Sequence, residues 1–182
     1  MDIFLVRHGE AAASWAQSPD PGLSELGVEQ ARAAALALQD RLVGPVQLYS
    51  SPLARARETA QPLAAALAVP VEINEAFREI RAPVPLEQRQ AWLREFMQQR
   101  WEQQGPDLHD WRSQAVNELL QLASPAVIFT HFLVINAVVG HILGAQNTLH
   151  FWPENGSITH LRRGRDGLEL VALGAQMPSV VN

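Results

Sequence analysis

The stretch Ile3-Phe4-Leu5-Val6-Arg7-His8-Gly9-Glu10 decides the fold. Its four apolar residues, mostly branched or aromatic, read as a buried strand. Arginine, histidine and glycine stand at the strand's carboxyl end. A second run ends in the same way, Ala126-Val127-Ile128-Phe129-Thr130-His131. In an open parallel sheet, reactive groups collect in the crevice beyond the carboxyl ends of the strands. Two histidines placed there, one beside an arginine and a glycine, point to a site for a dianionic ligand. Arginine offers bidentate charge to phosphate, and glycine lets the backbone come close.

Outward from these strands, the chain alternates. Strand 3–7 gives way to a polar loop holding Pro19, Asp20, Pro21 and Gly22, and Ser24 caps a helix over about 24–42. Val46-Gln47-Leu48-Tyr49 reads as a short strand, and Ser50-Ser51-Pro52 as the cap and first turn of a helix running to about 68. Val69 to Ile73 reads as a third strand. Residues 81–107 break the rhythm with Pro83, Pro85 and Gly105-Pro106 around a helix-like stretch bearing Trp92, Phe96 and Trp101. This segment is expected to be a short, lid-like helical insertion lying over the sheet and the active site. Helix 108–123, strand 126–130 and helix 132–143 follow, and Ile158–Leu161 with Leu168–Leu173 form a closing hairpin. The alternation predicts an α/β fold of three layers, a mainly parallel sheet with helices on both faces. One domain is expected over 1–182.

Composition narrows the chemistry. At 182 residues, 47% hydrophobic and 18% charged, the chain suits a soluble globular domain with a sizeable core. A net charge of −5 argues against nucleic acid or an anionic membrane as the main partner. The absence of cysteine excludes disulfides, thiolate metal sites and thiol nucleophiles. All 14 basic residues are arginines, which excludes a P-loop lysine and any Schiff-base or pyridoxal-phosphate lysine. No targeting segment stands at the start and no apolar stretch approaches the ~20 residues of a membrane span. A cytoplasmic protein is expected.

Three strand ends thus deliver Arg7, His8, Arg55 and His131 to one crevice. Arg55 falls in the first turns of its helix, where free amides already favour an anion. Together they make a cationic pocket matched to a phosphoryl group: a neutral imidazole attacks phosphorus while the other cations take up equatorial charge. Taken singly, each has a plainer reading. Arg7-His8-Gly9-Glu10 is a salt-bridged turn, Arg55 and Arg57 are solvated helix arginines, and His131 is a core histidine. Only the combination favours chemistry.

The chain resembles the histidine phosphatase superfamily, also called the phosphoglycerate mutase-like family. Leu5-Val6-Arg7-His8-Gly9-Glu10 matches its signature. Gly22-Leu23-Ser24-Glu25-Leu26-Gly27-Val28-Glu29-Gln30-Ala31 is similar to its next landmark, and Ser51-Pro52-Leu53-Ala54-Arg55-Ala56-Arg57-Glu58-Thr59-Ala60 to its third. Thr130-His131 and Asn155-Gly156-Ser157-Ile158-Thr159 resemble the last two. The resemblance implies that His8 is the nucleophile and becomes phosphohistidine, with Arg7, Arg55 and His131 completing the phosphate pocket. It also implies a proton-donating carboxylate after the third strand. Phe77-Arg78-Glu79-Ile80 resembles that motif, which makes Glu79 the candidate and Glu75 its neighbouring competitor.

Three departures bear on the substrate. Arg81-Ala82-Pro83-Val84-Pro85 stands where many members carry a glycine and a Trp-Glu-Gly run. Ser14 replaces a phosphate-contacting asparagine, though its hydroxyl can still donate. Phe132 replaces the glycine common after the second histidine and makes that pocket wall narrower or more apolar. Trp15 is expected to form another wall, whereas Trp92, Trp101 and Trp111 are expected to pack. His109, His141, His150 and His160 lack the close spacing of metal ligands.

The sequence therefore predicts a phosphatase that hydrolyses a small-molecule phosphomonoester through phospho-His8, with no metal and no cofactor. Its alternatives are a phosphoglycerate-type mutase and a catalytically silent module that only binds a phosphate ligand.

Overall fold

The computed structural model describes residues 1–13 and 18–178. Ser14 and Trp15, named above, lie outside the described residues. The elements follow in the order β1 (Asp2–Arg7), α1 (Glu25–Gln39), β2 (Gln47–Ser50), α2 (Ala54–Leu67), β3 (Val71–Ile73), α3 (Arg89–Phe96), α4 (Pro106–Gln121), β4 (Ala126–Thr130), α5 (Phe132–Ile142), β5 (Ile158–Arg163) and β6 (Leu168–Ala172). Short 3-10 turns lie at Glu75–Phe77, Leu86–Gln88 and Trp101–Gln103.

The six strands form one sheet in the order β3-β2-β4-β1-β5-β6. β3, β2, β4 and β1 run parallel, and β5 and β6 close one side antiparallel. The sheet is therefore mixed, a parallel block with a hairpin at its edge. β1 shows why both faces must be covered. Ile3 and Leu5 enter one core with Val116 and Leu119 of α4 and Ile135 and Val138 of α5. Phe4 and Val6 enter the other with Ala34, Leu38, Ala60 and Leu63 of α1 and α2. The alternation of a strand thus becomes two cores on opposite faces, each large side chain contributing about 1.5–3 kcal/mol of transfer free energy.

Topology creates the crevice. The chain leaves β1 towards β2 over one helical layer and leaves β4 towards β5 over the other, so neighbouring parallel strands part company at their carboxyl ends. Arg7 stands opposite Thr130 in the register, which brings the residues after both strands side by side.

One local expectation is revised. The helix expected from Ser50-Ser51-Pro52 begins later, at Ala54 with Leu53 as its cap and no side-chain cap bond. Ser51 is instead a buried turn residue whose Oγ accepts from Leu53 N–H at 3.2 Å. The insertion borders the crevice through Leu93 and Met97, and Phe96 and Trp101 anchor it by packing with Ile80 and with Leu133 and Ala137 of α5. Its helix is only eight residues long; a turn at 97–98 ends it, and a separate 3-10 turn follows at Trp101–Gln103.

Candidate active site

The crevice at the ends of β1 and β4 is a cleft of about 360 Å³. Its floor comes from the β1 end. His8 N–H donates to Thr130 O at 3.0 Å, and Asn155 Nδ2 donates to His8 O at 3.0 Å. Arg7 N–H donates to Ser157 O and Gly156 N–H to Arg7 O, so the β5 side clamps the same two residues. The following turn is pinned by Gly9 N–H donating to Thr59 Oγ1 at 3.0 Å. A glycine is required here: a Cβ on Gly9 would sit 2.4 Å from Gly27 O, and one on Gly27 would sit 2.1 Å from Glu10 O. The two glycines let the loop lie directly on α1.

Within this frame the His8 ring is fixed at both nitrogens. Nδ1 lies 2.6 Å from Gly9 O, so Nδ1 carries the proton and donates it to the carbonyl. Nε2 is left with its lone pair, which accepts from Arg55 Nε at 3.2 Å. Burial, then the charges of Arg55 and Arg7, push the His8 pKa down to about 3. The imidazole is therefore neutral across the physiological range.

Arg55 is buried and Arg7 partly buried, and both have donors to spare. Arg55 is 5% exposed, and its Nη1 has no hydrogen-bond partner among the described residues. Arg7 donates through Nη1 to Pro153 O at 2.8 Å, while its Nε has no partner among them. Desolvation lowers the Arg7 pKa to about 10, still well above neutrality, so the charge persists. Buried cations with unused N–H groups are costly unless an anion arrives.

Glu79 faces them from the turn after β3. It is 8% exposed; its Oε1 accepts from Ile80 N–H at 3.1 Å and its Oε2 from Leu133 N–H at 3.2 Å. Burial raises its pKa against those two amides and against Arg55 and Arg7. Glu75 stands apart. Its side chain is 70% exposed, it pairs with Arg78 at 3.7 Å, and it lines a different hollow.

His131 lies deeper than the sequence suggests. It is completely buried, with its ring centroid 5.2 Å from that of His8, and it is absent from the cleft lining. Its Nε2 is 2.7 Å from Ser51 Oγ, and its Nδ1 has no partner among the described residues. Desolvation and the neighbouring His8, Arg55 and Arg7 hold it well below the usual imidazole pKa. Phe132 forms a wall of the cleft, with Arg7 Cζ 5.1 Å from its ring centre. Sequence reasoning did not assign Ser51, Thr59 or Asn155 to the site. Asn155 was visible as the head of Asn155-Gly156-Ser157; Ser51 was hidden by its likeness to a helix cap. Among the described residues no group of three or more His, Asp or Glu is placed to hold a metal ion. No helix among them is long and apolar enough to cross a membrane.

A cleft lined by two arginines, with a neutral imidazole at its floor and an acid on its wall, is suited to phosphoryl transfer. The family model of the histidine phosphatase superfamily (branch 1) matches residues 3–176, and the chain belongs to that superfamily. Among solved structures it is similar to mycobacterial glucosyl-3-phosphoglycerate phosphatase, with 23% identity, 96% of this chain and 99% of that one covered and a TM-score of 0.73. Phosphoserine phosphatase from Entamoeba histolytica is similar at 21% identity, with 96% of each chain covered and a TM-score of 0.74. Phosphoglycerate mutase from Thermus thermophilus is similar at 25% identity, with 97% and 100% covered and a TM-score of 0.65. The first two likenesses establish the fold. No curated protein sequence matches the chain.

Proposed function

We infer that this protein is a phosphomonoesterase that works through a phosphohistidine on His8, as one domain spanning the chain. The observation that carries the reading is the His8 ring: Nδ1 bound to Gly9 O, Nε2 unprotonated and facing a buried arginine. A substrate phosphoryl group replaces Arg55 as the partner of Nε2. The unused N–H groups of Arg7 and Arg55 take its oxygens, and the unpaired Nδ1 of His131 lies in the same buried cluster. Nε2 attacks phosphorus, the bond to the ester oxygen breaks, and Glu79 gives its proton to the departing alcohol. Water then attacks phospho-His8 and surrenders a proton to Glu79, so inorganic phosphate leaves and both residues return to their starting states. Membership of a superfamily named for this histidine chemistry supports the reading, and so do phosphatases among the structural neighbours, one of which acts on phosphoserine.

The test is direct trapping. Brief exposure to a 32P-labelled substrate should leave acid-labile, base-stable label on His8, and His8→Ala should carry none and turn over nothing. Label on another residue, or an active alanine variant, would refute the mechanism.

A further inference from the structure

The phosphoryl end of the cleft accounts for Arg7, His8, Arg55, Glu79 and Asn155. What remains must face the leaving group, and among the described residues it is almost wholly apolar: Pro21, Leu93, Met97, Phe132 and Leu133, with small alanines at Ala11 and Ala13. Leu93 lies on α3 and Met97 directly after it, so the insertion supplies the part of the wall most remote in sequence from the catalytic strands. Phe132 extends this surface outward, edge-to-face with Trp152 at 5.3 Å, and Trp152 keeps 44% of its surface exposed. The one remaining charged residue in that described lining is Glu10. Among the described residues, every cation of this cleft is therefore committed to the phosphoryl group.

The neighbouring arginines stand outside this lining, beyond Glu79, with Arg78 and Arg89 close enough to act on Arg55 electrostatically. Arg78, Arg81 and Arg89 line a separate hollow of about 380 Å³ that shares only Glu79 with the cleft. The larger hollow of about 590 Å³, with Trp111 and Asp107, also shares only Glu79.

We propose that the preferred substrates are phosphate esters of neutral alcohols with an apolar or aromatic body, and that a second anionic group on the leaving alcohol is selected against. This rests on the phosphomonoesterase reading and deepens it. Two effects act together. Phe132, Leu93 and Met97 give an apolar body a surface to leave water against. A carboxylate in the same place would lose hydration beside that wall and face Glu10 without a spare cation. A cleft of about 360 Å³ holds a phosphoryl group and a ring or short chain.

The experiment compares primary alkyl phosphates, whose ester oxygens leave with similar difficulty, with one secondary ester: 2-phenylethyl phosphate, glycerol 1-phosphate, phosphoserine and 3-phosphoglycerate, against 2-phosphoglycerate. The expected kcat/KM for 2-phenylethyl phosphate exceeds that for 3-phosphoglycerate by at least about tenfold, with glycerol 1-phosphate between them. Met97→Arg, which adds a cation to the wall, should narrow that gap by raising turnover of 3-phosphoglycerate. Vanadate inhibition, which reports the phosphoryl end alone, is measured for both proteins as the folding control. Equal or reversed preference with vanadate binding intact overturns the proposal and leaves the phosphatase assignment standing. If 3-phosphoglycerate is preferred and Arg81→Ala removes the preference, the leaving group occupies the arginine hollow and the proposal is wrong. Absence of turnover with every ester, and of vanadate binding, removes the phosphomonoesterase reading itself.

Discussion

At the floor of the cleft, the His8 imidazole is neutral and the Glu79 carboxyl is raised, the protonation states that the proposed nucleophile and acid need at one pH. His8 stays neutral down to about 3 in the free protein, so mild acid does not remove the nucleophile. Glu79 must be protonated to act, and burial keeps it so to a higher pH than an ordinary carboxyl. Turnover of an alkyl phosphate should therefore be greatest in mild acid and fall as pH rises through the Glu79 titration. Glu79→Gln should lower kcat for alkyl esters strongly, spare an activated aryl ester, and flatten the basic limb of the pH profile. Equal loss for both esters would mean that Glu79 only positions Leu133 and Ile80. Arg55→Ala removes a charge-assisted contact worth about 1.5–3 kcal/mol, so vanadate should bind roughly 10- to 150-fold more weakly. Unchanged vanadate affinity, measured by competitive inhibition, would place the phosphoryl group elsewhere. The neighbourhood of these residues was legible because strand ends are legible: His8 and His131 stood at the mouths of two apolar runs. The depth of His131 was not. Burial beneath a neighbouring ring depends on register between β1 and β4, and no local pattern encodes it.

At the scale of elements, the loop after β1 depends on α1. Gly9 and Gly27 let two backbones touch, and a methyl on Gly27 would collide with Glu10 O. Gly27→Ala should cost about 1–3 kcal/mol through forced displacement of that loop. It should also lower kcat more than the stability loss explains, because Gly9 O holds the Nδ1 proton of His8. A thermal melt and a kcat measurement below the transition separate the two effects; an unchanged melting temperature would contradict the contact. Helix and strand order was readable from apolar periodicity and turn residues, and Ser24 does cap α1, accepting from Gly27 N–H at 3.0 Å. The insertion was readable as a helical segment over the crevice, and Leu93 and Met97 do line the cleft. Trp92, Phe96 and Trp101 announce that the segment packs, but a helix of eight residues carries no signal for its partner, which proved to be α5.

For the whole molecule, the question is whether phospho-His8 meets water or a second alcohol. A phosphoglycerate-type mutase must hold a sugar-acid carboxylate while the substrate turns, and among the described residues the cleft lining beyond Arg7 and Arg55 has no cation for it. Hydrolysis should therefore outrun transfer. Incubation with 3-phosphoglycerate and a trace of its bisphosphorylated primer, followed by phosphorus NMR, should show inorganic phosphate without accumulation of 2-phosphoglycerate; faster isomerisation than phosphate release would reverse the assignment. The sheet order carries one more consequence. β1 is the first strand in the chain, yet both its neighbours, β4 and β5, come late. During synthesis, the Ile3-Phe4-Leu5-Val6 ribbon must wait with both edges open until β4 has emerged from the ribosome, and with one edge open until residue 163 has. A chain stalled or truncated before β5 should be captured by chaperones or aggregate, and regain of activity on refolding should coincide with the last pairing event.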